Sequence, residues 1–238
     1  MGLGTLINAL GVLAGGFVGM LIGHRISKNM QEAIMKAAAI SVIFLGIIGA
    51  CEHALRISEN KVVSQGAMML VVSLTLGTLI GELLNIERLF ENLGIYLKKI
   101  TNSGKDNRFV DSFIMASLTI CIGAMSILGA IQDALFHDYS VLMAKTVLDG
   151  ITILIFTAAN GRGSIFSVVP LVIFQGGITL LAKFIEPIMT PTALTNLSLV
   201  GSVLIFCVGA NIIWKLKIRI ANMLPAIIIA VIFAFLPF

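Results

Sequence analysis

The chain has 238 residues, of which 58% are hydrophobic and only 12% are charged, and its mean hydropathy is +1.05. Soluble domains carry about 25% charged residues, so this composition excludes a soluble globular enzyme, a disordered protein and a disulfide scaffold. The net charge of +4 comes from basic residues in short loops between apolar segments, a pattern typical of membrane orientation rather than nucleic-acid binding.

Apolar segments long enough to cross a bilayer recur along the chain. A membrane-spanning helix needs about 20 apolar residues. The sequence predicts eight spans, at residues 3–23, 36–55, 63–84, 110–134, 140–159, 165–185, 195–214 and 220–237. Prolines interrupt the last three, so seven spans is the alternative count. Two-residue alternation is lacking, and we therefore expect an all-α polytopic helical bundle that forms a single transmembrane domain over residues 1–238.

Basic residues divide unequally between the two sides of this bundle. With eight spans, the odd-numbered loops hold 12 Lys and Arg residues and the even-numbered loops hold 3, which places the odd loops in the cytoplasm and both termini outside. One cytoplasmic loop contains a segment, residues 85–100, that predicts an amphipathic surface helix. The apolar residues that share its predicted face are Ile86, Leu89, Phe90, Leu93 and Leu97.

Small residues in the first span predict tight helix packing. A glycine recurs every four residues, which allows close backbone approach between helices. This glycine stripe consists of Gly11, Gly15, Gly19 and Gly23. The pattern alone leaves two alternatives, packing inside the bundle and packing between the protomers of a homo-oligomer.

Short matches between distant spans indicate an internal repeat. Gly15-Gly16 matches Gly176-Gly177 at the same offset at which Ser41-Val42 matches Ser202-Val203. Spans five apart run in opposite directions, so the sequence predicts an inverted-topology repeat of spans 1–3 and 6–8, a common construction in secondary transporters. A chance match of common small residues is the alternative.

Charged residues inside a membrane segment usually mark function. In span 5, Asp149 lies about ten residues in, near the midplane, and Lys145 lies one turn earlier on the same face. Burial of such a carboxylate disfavours its charged form, whereas the neighbouring lysine favours that form. Two interpretations follow, a coupling-ion or proton site and a buried structural ion pair.

Further polar residues are candidates for the same site. Gln132 and Asp133 end span 4 and are expected to line an outer entrance or to lie at the interface. Asn8, Gln175 and Asn211 lie in spans 1, 6 and 7 and supply neutral ligands or interhelical hydrogen bonds. We also expect the backbone to unwind at Gly176-Gly177, beside Gln175.

Motifs for enzyme chemistry are missing from the sequence. There is no HExxH, no Cys/His metal cluster and no histidine downstream of Gly163-Ser164. We therefore expect no enzyme activity, no metal and no cofactor.

Four segments carry a family resemblance. They are GTLINALGVLAGGFVGMLIG (4–23), CIGAMSILGAIQDAL (121–135), the span with Lys145 and Leu148-Asp149-Gly150, and KIRIANMLPA (217–226). The chain resembles the bacterial YdfK/YqgA membrane-protein family, a domain of unknown function, over essentially its whole length. The resemblance implies a multi-pass protein of the bacterial inner membrane, of a family often labelled as transporters but without an established substrate.

Two functional hypotheses result. In the first, the chain is a secondary transporter or an ion- or proton-translocating protein for a small solute, with Asp149 as the protonatable or cation-binding group and Lys145 as its counter-ion. In the second, it is a non-transporting structural or accessory subunit that acts through the glycine stripe and the helix at 85–100. In both, the partner is the lipid bilayer and not nucleic acid.

Overall fold

The computed structural model describes residues 2–58, 61–103 and 106–236. The helices in this part of the chain are α1 (Leu3–Gly23), α2 (Lys28–Ala54), α3 (Ala67–Leu84), α4 (Ile86–Ile100), α5 (Phe109–Cys121), α6 (Ala124–Phe136), α7 (Ser140–Asn160), α8 (Val168–Ile185), α9 (Pro191–Trp214) and α10 (Pro225–Phe233). Short 3-10 turns at Arg162–Ser167, Glu186–Ile188 and Ile220–Met223 connect some of them.

The predicted all-α, polytopic helical bundle is confirmed. Six helices of the described chain are long and apolar enough to cross a membrane, namely α1, α2, α3, α7, α8 and α9. The bent pair α5–α6 adds a seventh span if it is counted as one. The segment Ile220–Phe233, which contains α10, is apolar but shorter, so the count of eight stays a prediction.

A β-hairpin replaces part of two predicted spans. β1 (Leu55–Ser58) pairs antiparallel with β2 (Lys61–Ser64), so α3 begins at Ala67 rather than at residue 63. The two adjacent valines of β2 favour an extended backbone. Gly66 then takes a positive φ of 75° before the helix begins, a conformation that favours glycine.

Three of the prolines lie in the first turn of a helix. Pro191 and Pro225 are the first residues of α9 and α10, and Pro170 lies in the first turn of α8. Proline suits these positions because the first turn of a helix has no internal partner for its N–H groups. Pro170 therefore does not interrupt its predicted span, whereas Pro225 does stand where the predicted last span divides into a 3-10 turn and α10.

The glycine stripe faces α7. A Cβ atom on Gly15 would fall on the carbonyl oxygen of Gly150, and one on Gly19 would fall on that of Leu154. Gly23 likewise meets the carbonyl oxygen of Ala158, whereas Gly11 meets the side chain of Thr146. The order of these contacts makes α1 and α7 parallel, so the stripe packs inside the bundle.

Two further helix pairs approach closely through glycine. Gly49 of α2 packs against Ser202 of α9, and Gly209 of α9 packs against Ala39 and Ile43 of α2, so these helices run antiparallel. Gly77 of α3 likewise meets Ala226 of α10. These pairs and the α1–α7 pair form much of the helical packing.

The amphipathic helix predicted at 85–100 is confirmed as α4. Ile86 and Phe90 pack against the core, and Gly94 lies against Phe113 of α5. Leu89, which the periodicity placed on the same face, is 64% exposed. Only the part of the apolar face nearest to α5 and the 3-10 turn at Ile220–Met223 is thus covered by protein.

The turn before α10 holds the junction between α3 and α4. The N–H of Glu87 donates to Asn222 Oδ1 (2.7 Å), and the N–H of Ala221 donates to the Glu87 carboxylate (3.2 Å). Arg219 donates to Asn85 Oδ1 (2.7 Å) and pairs with Glu82. Partial burial raises the pKa of Glu87, and the hydrogen bond from Ala221 opposes that rise.

Replacing Asn222 with alanine is expected to loosen this junction. Asn222 is fully buried, and its loss leaves the N–H of Glu87 without its acceptor, which costs about 1–3 kcal/mol. Unfolding of the purified protein in SDS would measure the loss. Asn107→Ala, in an exposed loop position, is the control; equal stability of the two variants would contradict this role.

Candidate functional site

Lys145 and Asp149 form a buried ion pair on α7. The ammonium lies 2.5 Å from Asp149 Oδ2, and each residue is 6% exposed. The helix has 21 residues, and Asp149 lies about 14 Å from its start at 1.5 Å per residue. The charges are therefore near the middle of a span, as the sequence predicts.

A break between α5 and α6 supplies the second partner of Lys145. The two helices bend by 59° at Ile122-Gly123, where Gly123 has a φ of 148° that favours glycine. Interruption of the helix releases carbonyl groups near its end. One of them, the carbonyl of Ile120, accepts a hydrogen bond from Lys145 Nζ (2.7 Å).

Asn8 and Gln175 bring two more helices to the pair. Asn8 of α1 donates through Nδ2 to Asp149 Oδ2 (3.0 Å) and to Gln175 Oε1 of α8 (3.4 Å). Both amides are almost fully buried. The structure thus brings together four of the candidate residues, Asn8, Lys145, Asp149 and Gln175, at a point where α1, α5, α7 and α8 meet.

The cluster contains buried polar atoms without a partner. Asn8 Oδ1 and Gln175 Nε2 make no hydrogen bond to any described residue. Buried polar groups are nearly always paired, so each unpaired one needs an explanation. Together they offer one acceptor and one donor to a bound ion, water or solute beside the ion pair.

The structure does not bring Asp133 to an open entrance. Asp133 is 2% exposed, and its carboxylate accepts a hydrogen bond from the N–H of Gly4 (2.9 Å). A carboxylate at a helix N-terminus satisfies a free amide and interacts well with the helix dipole. Asp133 therefore caps α1. The neighbouring Gln132 has a buried Oε1 without a partner in the described structure.

Asn211 also lies apart from the ion pair. Its Oδ1 accepts from the N–H of Ile218 (2.9 Å), and its Nδ2 donates to the carbonyl of Ile218 (2.8 Å). The amide thereby holds the loop that follows α9 through two hydrogen bonds to the backbone of Ile218. The expectation that Asn211 supplies a ligand is corrected, because both of its polar groups are already used.

The released carbonyl is the part of the site that sequence reasoning missed. Unwinding was expected at Gly176-Gly177, but α8 runs unbroken through both glycines, and a Cβ atom on either would meet nothing within 4 Å. The break lies at Gly123 instead. A single glycine within an apolar segment is a weak signal, because glycine is frequent in membrane helices.

A second polar region lies where α1 and α7 end. A cavity of about 230 Å³ there is lined in part by His24, Asp106, Arg108, Thr157 and Arg162. The hydroxyl of Thr157 is buried and has no partner in the described part of the chain. This cavity lies on the side that the positive-inside rule assigns to the cytoplasm.

Comparisons with known proteins place the chain in a family. A family model described as "Protein of unknown function (DUF554)" matches residues 3–235. The chain is 29% identical to the uncharacterized membrane protein YdfK of Bacillus subtilis (strain 168) over 226 residues, which is 95% of this chain and 93% of YdfK.

A second relative covers the chain equally well. The uncharacterized protein YqgA of Escherichia coli (strain K12) is 27% identical over 237 residues, which is 97% of this chain and 95% of YqgA. No solved structure matches. The resemblance noted in the sequence is confirmed, and the chain belongs to the DUF554 family of proteins of unknown function.

Proposed function

We propose that this membrane protein is a secondary transporter or ion-translocating protein for a small solute. The observation that carries the proposal is the Lys145–Asp149 pair, buried in the middle of a span, whose ammonium also binds the carbonyl released by the α5–α6 break. Ionisable residues within membrane spans typically mark ion pathways, and broken helices near the midplane typically form the binding sites of transporters.

A purely structural role explains this arrangement less well. A buried ion pair adds little net stability, because desolvation offsets the attraction. Asn8 Oδ1 and Gln175 Nε2 also stay unpaired beside it. A bound ion or solute would satisfy both atoms, whereas an apolar core of the same volume would need neither of them.

The contacts between α2 and α9 support the predicted inverted repeat. In that repeat Ser41 corresponds to Ser202, and Gly49-Ala50 matches Gly209-Ala210 after a shift of one residue. Gly49 packs against Ser202, and Gly209 packs against the residues on either side of Ser41. Reciprocal contacts of this kind arise when a twofold axis relates two elements.

The accessory-subunit alternative loses one of its two surfaces. The glycine stripe is covered by α7, so it is not free to bind a partner, and α4 alone remains. The proposal therefore assigns no enzyme activity and no cofactor to the chain. It places the protein in the bacterial inner membrane with both termini outside and α4 in the cytoplasm.

Currents across a solid-supported membrane test the proposal. Proteoliposomes with the purified protein would be exposed to protons, alkali cations, amino acids and organic anions in turn. We expect a solute-dependent current in the wild-type protein that disappears into the background in Asp149→Asn, because the amide cannot carry the charge.

The control is Glu186→Gln, which makes the same chemical change at an exposed position and is expected to keep the current. A wild-type current that survives in Asp149→Asn would remove Asp149 from the mechanism. Silence of the folded wild-type protein over the whole panel would count against transport and make partner pull-down the next experiment.

A further inference from the structure

We propose that the ammonium of Lys145 occupies a monovalent-cation site, so that the protein carries its own cation and Na⁺ or K⁺ enters once that ammonium is removed. This inference rests on the proposed function in that it concerns the same site. It goes beyond that function by naming the ion class and by giving Lys145 a role separate from that of a counter-ion.

The groups around the ammonium are those that a hard cation takes. Lys145 Nζ lies 2.5 Å from a carboxylate oxygen of Asp149 and 2.7 Å from the carbonyl oxygen of Ile120. Asn8 donates to the same carboxylate oxygen through Nδ2 (3.0 Å), and its buried Oδ1 makes no hydrogen bond to the ammonium. Carboxylate, carbonyl and amide oxygens are the usual ligands of alkali and alkaline-earth ions.

The origin of the carbonyl strengthens this assignment. Ile120 lies just before the end of α5, and its carbonyl is free to bind Lys145 because the helix ends at Cys121 rather than continuing into α6. In transporters, unwound backbone carbonyls and helix C-terminal ends coordinate the coupling cation. The C-terminal end of α5 also carries the negative end of the helix dipole.

Charge balance selects a monovalent ion. The site holds the single carboxylate of Asp149, and α1 and α8 contribute the neutral amides Asn8 and Gln175. The ammonium neutralises this carboxylate now. A single Na⁺ or K⁺ would do the same after its removal, whereas a divalent ion would leave an uncompensated charge in the interior of the bundle.

Five proteins, each purified as the full chain in detergent, test the inference. They are the wild type, Lys145→Ala, Lys145→Ser, Lys145→Met and the double variant Lys145→Ala/Asp149→Asn. Alanine opens the site and keeps the carboxylate, methionine fills the volume with an apolar chain, and the double variant opens the site without the charge. Thermal unfolding is followed in NaCl, in KCl and in N-methyl-D-glucamine chloride at equal ionic strength.

For Lys145→Ala, we expect the midpoint of unfolding to rise by at least about 5 °C in NaCl or KCl relative to N-methyl-D-glucamine chloride, with saturation at high concentration. The wild type, Lys145→Met and the double variant are expected to show no such difference. Lys145→Ser, whose hydroxyl adds an oxygen ligand, is a second opening variant with the same expected rise.

Three results would overturn the inference. One is an equal midpoint of Lys145→Ala and Lys145→Ser in all three salts, and another is an equal rise in the double variant. The third is failure of both opening variants to fold in any salt while the double variant folds. These results are independent of flux, so a silent wild-type protein with a cation-stabilised Lys145→Ala would count against transport and retain the cation site.

Discussion

The substitution Gly15→Leu is expected to destroy the packing of α1 on α7. A Cβ atom at this position falls on the carbonyl oxygen of Gly150, and a backbone atom cannot rotate away as a flexible side chain can. Overpacking of a core usually costs about 1–3 kcal/mol, and a clash with the backbone of the neighbouring helix lies at or beyond the upper end of that range. We expect little monodisperse protein on size-exclusion chromatography.

Gly176→Leu is the matched control for Gly15→Leu. Gly176 also lies within an apolar helix, but a Cβ atom there meets nothing within 4 Å, so this variant is expected to elute and unfold like the wild type. Equal losses in the two variants would mean that the close contact of α1 with α7 does not govern stability.

The second large effect is expected when one charge of the Lys145–Asp149 pair is removed. Lys145→Met leaves Asp149 buried without its ammonium, and Asp149→Leu leaves the ammonium with the carbonyl of Ile120 alone. Loss of one partner of a buried pair costs about 3–5 kcal/mol, whereas replacing both partners by apolar residues is often neutral or stabilising. The double variant Lys145→Met/Asp149→Leu is therefore expected to be more stable than either of its single variants.

A double-mutant cycle of unfolding in dodecyl sulfate, supplied as its choline salt, would measure this coupling. Choline is used as the only added cation, so that no alkali ion fills the site. The exposed pair Arg219–Glu82 is the control cycle, since exposed ion pairs typically contribute about 0–1 kcal/mol. If the losses of unfolding free energy in the two single variants simply add in the double variant, the two charges do not compensate each other.

Local patterns predicted the features that depend on a single helix. Six spans followed from long apolar segments, and α4 followed from its periodicity. Lys145 and Asp149 are one turn apart on the same helix, so their pairing needs no knowledge of the tertiary fold. The β-hairpin was missed because a few valines extend an apolar segment whether it is helical or extended.

Tertiary placement decided the remaining residues of the candidate site. Asn8, Gln175 and Asn211 look alike in sequence, as single amides in apolar spans. Asn8 and Gln175 contact each other because α1 and α8 converge on α7, whereas Asn211 lies where α9 ends and binds Ile218. Helical spacing says nothing about which helices are neighbours, and the break at Gly123 depends on a backbone angle that has only a weak sequence signal.

The difference between the packing of α1 and that of α8 has a mechanical consequence. Because Gly15, Gly19 and Gly23 of α1 meet the backbone of α7, Asn8, Lys145 and Asp149 lie on two closely packed helices. On α8, by contrast, a Cβ atom on Gly176 or Gly177 would meet nothing within 4 Å, so these two glycines form no such close contact with a neighbouring helix. In the transport function proposed above, alternating exposure of the ion pair would require displacement of α8 against the α1–α7 pair, and this displacement would break the 3.4 Å hydrogen bond between Asn8 and Gln175.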